Sequence, residues 1–119
     1  MLDGGVGDDV LNGGPGADVL TGGAGRDVFT FADAAGADRI ADFRRGTDKI
    51  DLRRIDANVR TRRKDAFTFI GTAPFSRKAG ELRSGGFGVL AGDVDGNGSA
   101  DFKISTGPVV VTARDLVLR

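Results

Sequence analysis

Apolar residues recur at a fixed interval in the first quarter of the chain: Leu11, Leu20 and Phe29 stand nine residues apart, each directly behind an Asp-Val pair. Three consecutive units result, Gly4–Asn12 (GGVGDDVLN), Gly13–Thr21 (GGPGADVLT) and Gly22–Thr30 (GGAGRDVFT), all of the form Gly-Gly-x-Gly-x-Asp-x-apolar-x. The eighth position predicts a short strand turning one side chain toward a core. The glycines permit the positive φ of a tight turn and leave backbone carbonyls open. A flexible glycine linker needs neither an aspartate nor an apolar residue in phase, so the period marks a stacked repeat array. Leu2-Asp3 matches the end of a preceding unit, which gives the expectation of a longer array.

Two worn units continue the pattern. Asp33–Ala41 keeps Gly36, Asp38 and Ile40 at the fourth, sixth and eighth places, and Phe43–Asp51 keeps Gly46, Asp48 and Ile50. The aspartate spacings run 9, 9, 11 and 10, so the extra residues are expected to deform the last turns. Asp38 and Asp48 either continue the aspartate series or simply start strands and cap turns. Beyond them, Phe67, Phe69, Leu82, Val89, Phe102 and Ile104 occupy alternate or isolated apolar positions in short segments divided by glycines. This pattern predicts half-buried antiparallel strands closing the open end of the repeat. Thr112, with Asp115 three residues on, predicts a single helical turn.

Composition narrows the chemistry. A chain of 119 residues with twenty glycines buries little apolar surface against the entropy of ordering it. Small domains meet that shortage with disulfides or metals. There is no cysteine, which excludes disulfides and thiolate chemistry, and no histidine, which removes the commonest general base and transition-metal ligand. Carboxylates and carbonyls remain, a hard oxygen set that suits calcium. Catalysis would have to rest on carboxylates and lysines alone, and the clustered carboxylates already have a periodic explanation, so an enzyme is disfavoured.

Parallel coils stack about 4.8 Å apart, and aspartates repeating up one side repel unless a cation lies between them. The zero formal net charge is unevenly distributed: residues 1–38 hold seven acidic residues to one basic, and residues 39–83 hold thirteen basic to six acidic. No apolar run reaches the length of a membrane span, and no basic-then-apolar leader stands at the front, so an export signal, if present, is expected elsewhere. Stable membrane insertion and nucleic-acid binding are not expected.

The repeats resemble those of the repeats-in-toxin (RTX) proteins. The stretch ADRIADFRRGTDKIDLRRIDAN resembles the segment that follows the roll in the C-terminal domain of serralysin-type metalloproteases, and also modules of alginate epimerases. The likeness continues through AFTFIG, APFSRKAGELR, AGDVDGNGSADFKIS and VTARDLVL. It implies an all-β fold, a right-handed parallel β-roll over residues 1–51 with an antiparallel cap over 52–119, forming one continuous domain. It also implies about two to four calcium ions, each between units n and n+2. The implied ligands are Asp9, Asp18 and Asp27 with carbonyls around Gly5, Gly7, Gly14, Gly16, Gly23 and Gly25, then Asp38, Asp48 and, beside Asp38, Asp42.

Asp93, Asp95, Asn97 and Asp101 occupy places 1, 3, 5 and 9 of a loop with Gly98 at place 6, as in an EF-hand. Place 12 is Ile104 rather than a bidentate glutamate, and Asp-Gly and Asn-Gly also suit a plain hairpin, so both readings stay open. Arg44, Arg45, Arg53, Arg54, Arg62, Arg63 and Lys64 stand partly where the family carries small polar residues; they form either a solvated basic face or a strip for an acidic, alginate-like polysaccharide. Asp115, Leu116, Val117 and Leu118 resemble the family's type I secretion terminus, although Arg119 departs from its apolar ending, and a short strand would show the same letters. The resemblance thus implies an extracellular, non-catalytic module that folds on calcium. Its partners would be an upstream domain (a zinc protease, lipase or epimerase) and the type I secretion apparatus.

Overall fold

In each repeat the chain extends directly behind the sixth-place aspartate, past the turn glycines that precede it. Val10–Asn12 (β2), Val19–Thr21 (β3) and Val28–Thr30 (β4) are accordingly three-residue strands, each burying its middle side chain, Leu11, Leu20 or Phe29. The computed structural model describes residues 2–12, 18–31, 36–55, 66–85, 88–107 and 111–118. Leu2–Asp3 (β1) precedes these strands, and the worn units supply Gly36–Ile40 (β5) and Lys49–Asp51 (β6), with Ile40 and Ile50 buried in the same way.

Successive units alternate between two parallel sheets, so that two nonapeptides make one coil. β1, β3 and β5 pair in order, with Leu2 opposite Leu20 and Leu20 opposite Ile40. β2, β4 and β6 pair likewise, with Leu11 opposite Phe29 and Phe29 opposite Ile50. The extra residues of the worn units, expected to deform the coil, leave this ladder in register because they fall between strands. A slip of one residue would turn each apolar side chain to solvent, so the core fixes the register.

The cap follows with Thr68–Phe69 (β7), Glu81–Gly85 (β8), Val89–Asp93 (β9) and Phe102–Ser105 (β10), then a 3-10 turn at Ala113–Asp115 and the strand Leu116–Val117 (β11). β8, β9 and β10 are antiparallel, as expected. β7 runs parallel to β8, and β10 lies parallel to β5 with Ile104 opposite Asp38, so one seven-stranded sheet passes from roll to cap in the order β1-β3-β5-β10-β9-β8-β7. β11 does not join the antiparallel strands. It pairs parallel with β6, completing a four-stranded sheet β11-β6-β4-β2, so the sheets do not divide at residue 51. Without β11, the edge of β6 would stand bare.

Among the described residues, one apolar cluster runs from Leu11, Leu20 and Phe29 through Ile40 and Ile50 to Phe67, Leu82, Leu90, Phe102, Ile104 and Val111. Phe67 meets Phe102 edge-on at 5.6 Å between ring centroids. Gly92 leaves room for this contact, since a Cβ there would lie 2.3 Å from the Phe102 ring.

Candidate metal centre

Because β2 pairs with β4, the loop before β2 (residues 4–9) stacks on the loop before β4 (residues 22–27). Gly5, Gly7, Gly23 and Gly25 all take positive φ, at 77°, 101°, 79° and 97°. A Cβ on Gly23 would lie 2.2 Å from the Gly5 carbonyl oxygen, and one on Gly25 would lie 2.5 Å from that of Gly7. The loops therefore meet backbone to backbone, as the absence of side chains allows. The first glycine of a unit makes room for that unit's carboxylate: a Cβ on Gly22 would fall 2.4 Å from Asp27 Oδ2, and one on Gly4 2.8 Å from Asp9 Oδ2.

The sixth-place carboxylates reach back along the roll axis. Asp27 Oδ1 accepts from the Asp9 amide at 3.0 Å, Asp48 Oδ1 from the Asp27 amide at 3.0 Å, and Asp38 Oδ1 from the Asp18 amide at 2.8 Å. Backbone bonds run beside them, from the Val28 amide to the Asp9 carbonyl and from the Lys49 amide to the Asp27 carbonyl. The second oxygens of Asp9, Asp18 and Asp27 are buried and accept no hydrogen bond. A buried polar oxygen without a partner costs free energy, and a buried anionic one costs more. Burial pushes the Asp27 carboxyl above its ordinary range; the Asp9 amide opposes this, and the carboxylates of Asp48, Asp9 and Asp42 reinforce it. Orphaned carboxylate oxygens and the carbonyls of the stacked glycine loops are both hard oxygen donors, a set of the kind that fits a calcium ion.

Not every predicted ligand offers a free oxygen. Asp42 accepts from the Gly22 and Gly23 amides at 2.9 and 2.8 Å, one oxygen to each, so it holds the 22–23 turn. Asp48 is similarly engaged, its Oδ2 accepting from the Arg44 amide at 2.9 Å. Gly14 and Gly16 lie outside the described residues. Asp8 was missed by the sequence reading: its Oδ1 accepts from the Arg26 amide at 2.7 Å across the same two loops. Its only signal was a second acid beside Asp9, present in one unit of three.

The 93–101 loop joins β9 to β10. Oxygens of Asp93, Asp95 and Asp101 lie within 4.8 Å of one another. Internal amides already take up much of this cluster. Asp93 accepts from Gly96 and Gly98 at 2.8 and 2.9 Å, Asp101 from Val94 at 2.8 Å, Asp95 from Asn97 at 3.1 Å, and Asn97 from Ser99 at 2.8 Å. The loop is closed by its own backbone as an antiparallel connection.

Two of the basic residues have acidic partners among the described residues. Arg53 grips Asp51 through Nε to Oδ1 at 3.0 Å and Nη2 to Oδ2 at 2.7 Å, which holds the Asp51 carboxyl below its usual range. Arg45 Nε lies 3.9 Å from Asp115 Oδ2. Arg44 and Arg54 are exposed, while Arg62, Arg63 and Lys64 lie outside the described residues. Asp115 is buried, Leu116 and Val117 form β11, and Leu118 packs partly buried against the core with Leu116.

The family model described as Peptidase M10 serralysin C terminal matches residues 3–118. No curated protein matches the chain.

Proposed function

Because the chain belongs to the serralysin C-terminal family of the M10 peptidases, a non-catalytic domain beside the peptidase domain, we propose that it is a calcium-dependent folding module of a secreted protein. The observation that carries this reading is the set of buried carboxylate oxygens of Asp9, Asp18 and Asp27 without hydrogen-bond partners. Calcium bound beside them would supply the positive charge that no hydrogen-bond donor brings to those oxygens. The chain's own part is to bury those oxygens along the roll, with Oδ1 of Asp27 and Asp38 fixing the preceding coil.

Such a site does not exist in the unfolded chain, so its binding free energy appears directly as folding free energy. One site at a hundred times its dissociation constant contributes about 2.7 kcal/mol. Where calcium is scarce, the acidic, glycine-rich repeats stay unfolded and fit for export; in millimolar calcium outside the cell they stack on the cap, and the upstream domain folds behind them. Circular dichroism of the full chain tests this: strand content should rise on adding calcium to chelated protein, and Asp18→Ala should weaken that response more than Asp101→Ala. Equal strand content with chelator and with calcium would end the proposal.

A further inference from the structure

β8, β9 and β10 pair so that Arg83, Ala91 and Lys103 stand in one row on the same face of the cap sheet, with Gly85 and Val89 in the row beside it. Neighbouring strands lie about 4.8 Å apart, so the two cations rise on either side of an alanine with about 10 Å between their backbones. A cleft of about 520 Å³ lies over this row, with Phe75 at its wall. That is the size of a small-molecule site. Arg83 is held in place without an acid: Nε donates to the Ala73 carbonyl at 2.8 Å, Nη2 to the Thr72 carbonyl at 3.2 Å, and Cζ stands 5.9 Å from the centre of the Phe75 ring. Its Nη1 makes no hydrogen bond among the described residues and lies beside Gly85, where a Cβ would come within 3.3 Å of it. Gly85 does not take the positive φ of the turn glycines, so what its missing side chain gives is space for the guanidinium.

The acids that could neutralise these cations are already occupied. Glu81 and Asp93 form the next row on that face, and Asp101 lies close to Asp93. Glu81 accepts from the Ser76 amide and hydroxyl, both at 2.7 Å, Asp93 from the Gly96 and Gly98 amides, and Asp101 from the Val94 amide. Among the described residues no ion pair reaches Arg83 or Lys103. We propose that this cleft binds a carboxylate carried on a small apolar group, as a free apolar acid or the last residue of a peptide presents. The carboxylate meets Arg83 Nη1 and the Lys103 ammonium in charge-assisted hydrogen bonds, while Val89, Ala91 and Phe75 receive the apolar part. A single negative charge suits the site better than a phosphate dianion or a polyanion, because the acidic row beside it repels each added charge. The cleft is built from the cap alone, so this inference stands apart from the calcium reading.

Amide NMR of the full chain, kept in excess calcium and titrated with N-acetyl-leucine, tests the site. Resonances of residues 83–85, 89–91 and 103 should move, with a dissociation constant of about 1 mM, the range open to so small a ligand. N-acetyl-leucine amide, which lacks the charge, should bind at least about ten-fold more weakly. Glucuronate, a carboxylate on a polar ring, should also bind more weakly than N-acetyl-leucine. Lys103→Ala removes an exposed cation and should weaken binding about three-fold, with the rest of the spectrum unchanged. Tighter binding of a short peptide ending in leucine would assign the site to peptide ends and weaker binding to free acids, and either supports the carboxylate. No movement at these amides up to about ten times the expected constant, equal affinity for the amide, affinity for glucuronate as high as for N-acetyl-leucine, or unchanged affinity in Lys103→Ala would each overturn it. So would shifts confined to the stacked glycine loops, since the acid would then be acting by withdrawing calcium.

Discussion

Gly5 and Gly23 occupy the same place in their repeats with almost the same backbone, φ 77° and 79°, yet their surroundings differ. A Cβ on Gly5 would meet nothing within 4 Å among the described residues, whereas one on Gly23 would lie 2.2 Å from the Gly5 carbonyl oxygen and 3.0 Å from its carbon. Alanine at either position adopts a left-handed conformation, at about 1–2 kcal/mol. Only Gly23→Ala also forces two backbones apart, which adds about 1–3 kcal/mol as overpacking does elsewhere. The obstacle is a main-chain carbonyl, so no rotamer change relieves it. Gly5→Ala is therefore expected to cost about 1–2 kcal/mol and Gly23→Ala about 2–5 kcal/mol. Urea unfolding in saturating calcium, followed by circular dichroism and extrapolated linearly, measures both. The calcium midpoint should move further for Gly23→Ala, since the displaced carbonyl is a proposed ligand. Equal costs for the two substitutions would refute backbone-to-backbone stacking of the loops.

Two predictions concern pH. The raised Asp27 pKa, caused first by burial, means that this group favours the fold while protonated and loses that contribution as pH rises through its folded value. In chelator, Asp27→Asn should accordingly show more strand content by circular dichroism than wild type at pH 7, with the gap closing as pH is lowered through the raised value; a variant with no more strand content than wild type at pH 7 would contradict this. The depressed Asp51 pKa, caused first by the Arg53 side chain, has the opposite sign: its contribution is present above the unfolded value and is lost as pH falls through the folded one. Arg53→Ala should lower the urea midpoint at pH 7 and match wild type in strong acid, and a gap that persists in acid would show that Arg53 acts by packing.

The repeat was legible because its signals are local: one aspartate, one apolar residue and the turn glycines of each unit lie within nine positions, and their phase fixed both the strands and their stacking. The worn units were legible for the same reason, but their spacing was misleading, since Ile40 and Ile50 kept their places while the surplus residues fell outside the ladder. The pairing of Leu116 with Ile50 was not legible, because a two-residue strand has no period and its partner is 66 positions away. That Asp42 holds the Gly22-Gly23 turn was not legible either, because those amides lie 20 and 19 positions away.

The aspartates also divide along the roll axis by what satisfies them. Toward the front, Asp9, Asp18 and Asp27 each keep one buried oxygen without a donor. Toward the cap, Asp42, Asp48 and Asp115 have both oxygens met by backbone amides, with Thr112 and Arg45 adding to Asp115. The protein itself thus terminates the ladder at the end where β10 and β11 extend the sheets. Moving away from the cap, each coil relies more on charge from outside the chain. Order should then spread from the cap toward the first repeat as calcium rises, because each docked coil presents the amides and carbonyls on which the next carboxylate closes. Hydrogen exchange that protected residues 4–12 before residues 44–51 in a calcium titration would reverse that direction and count against the gradient.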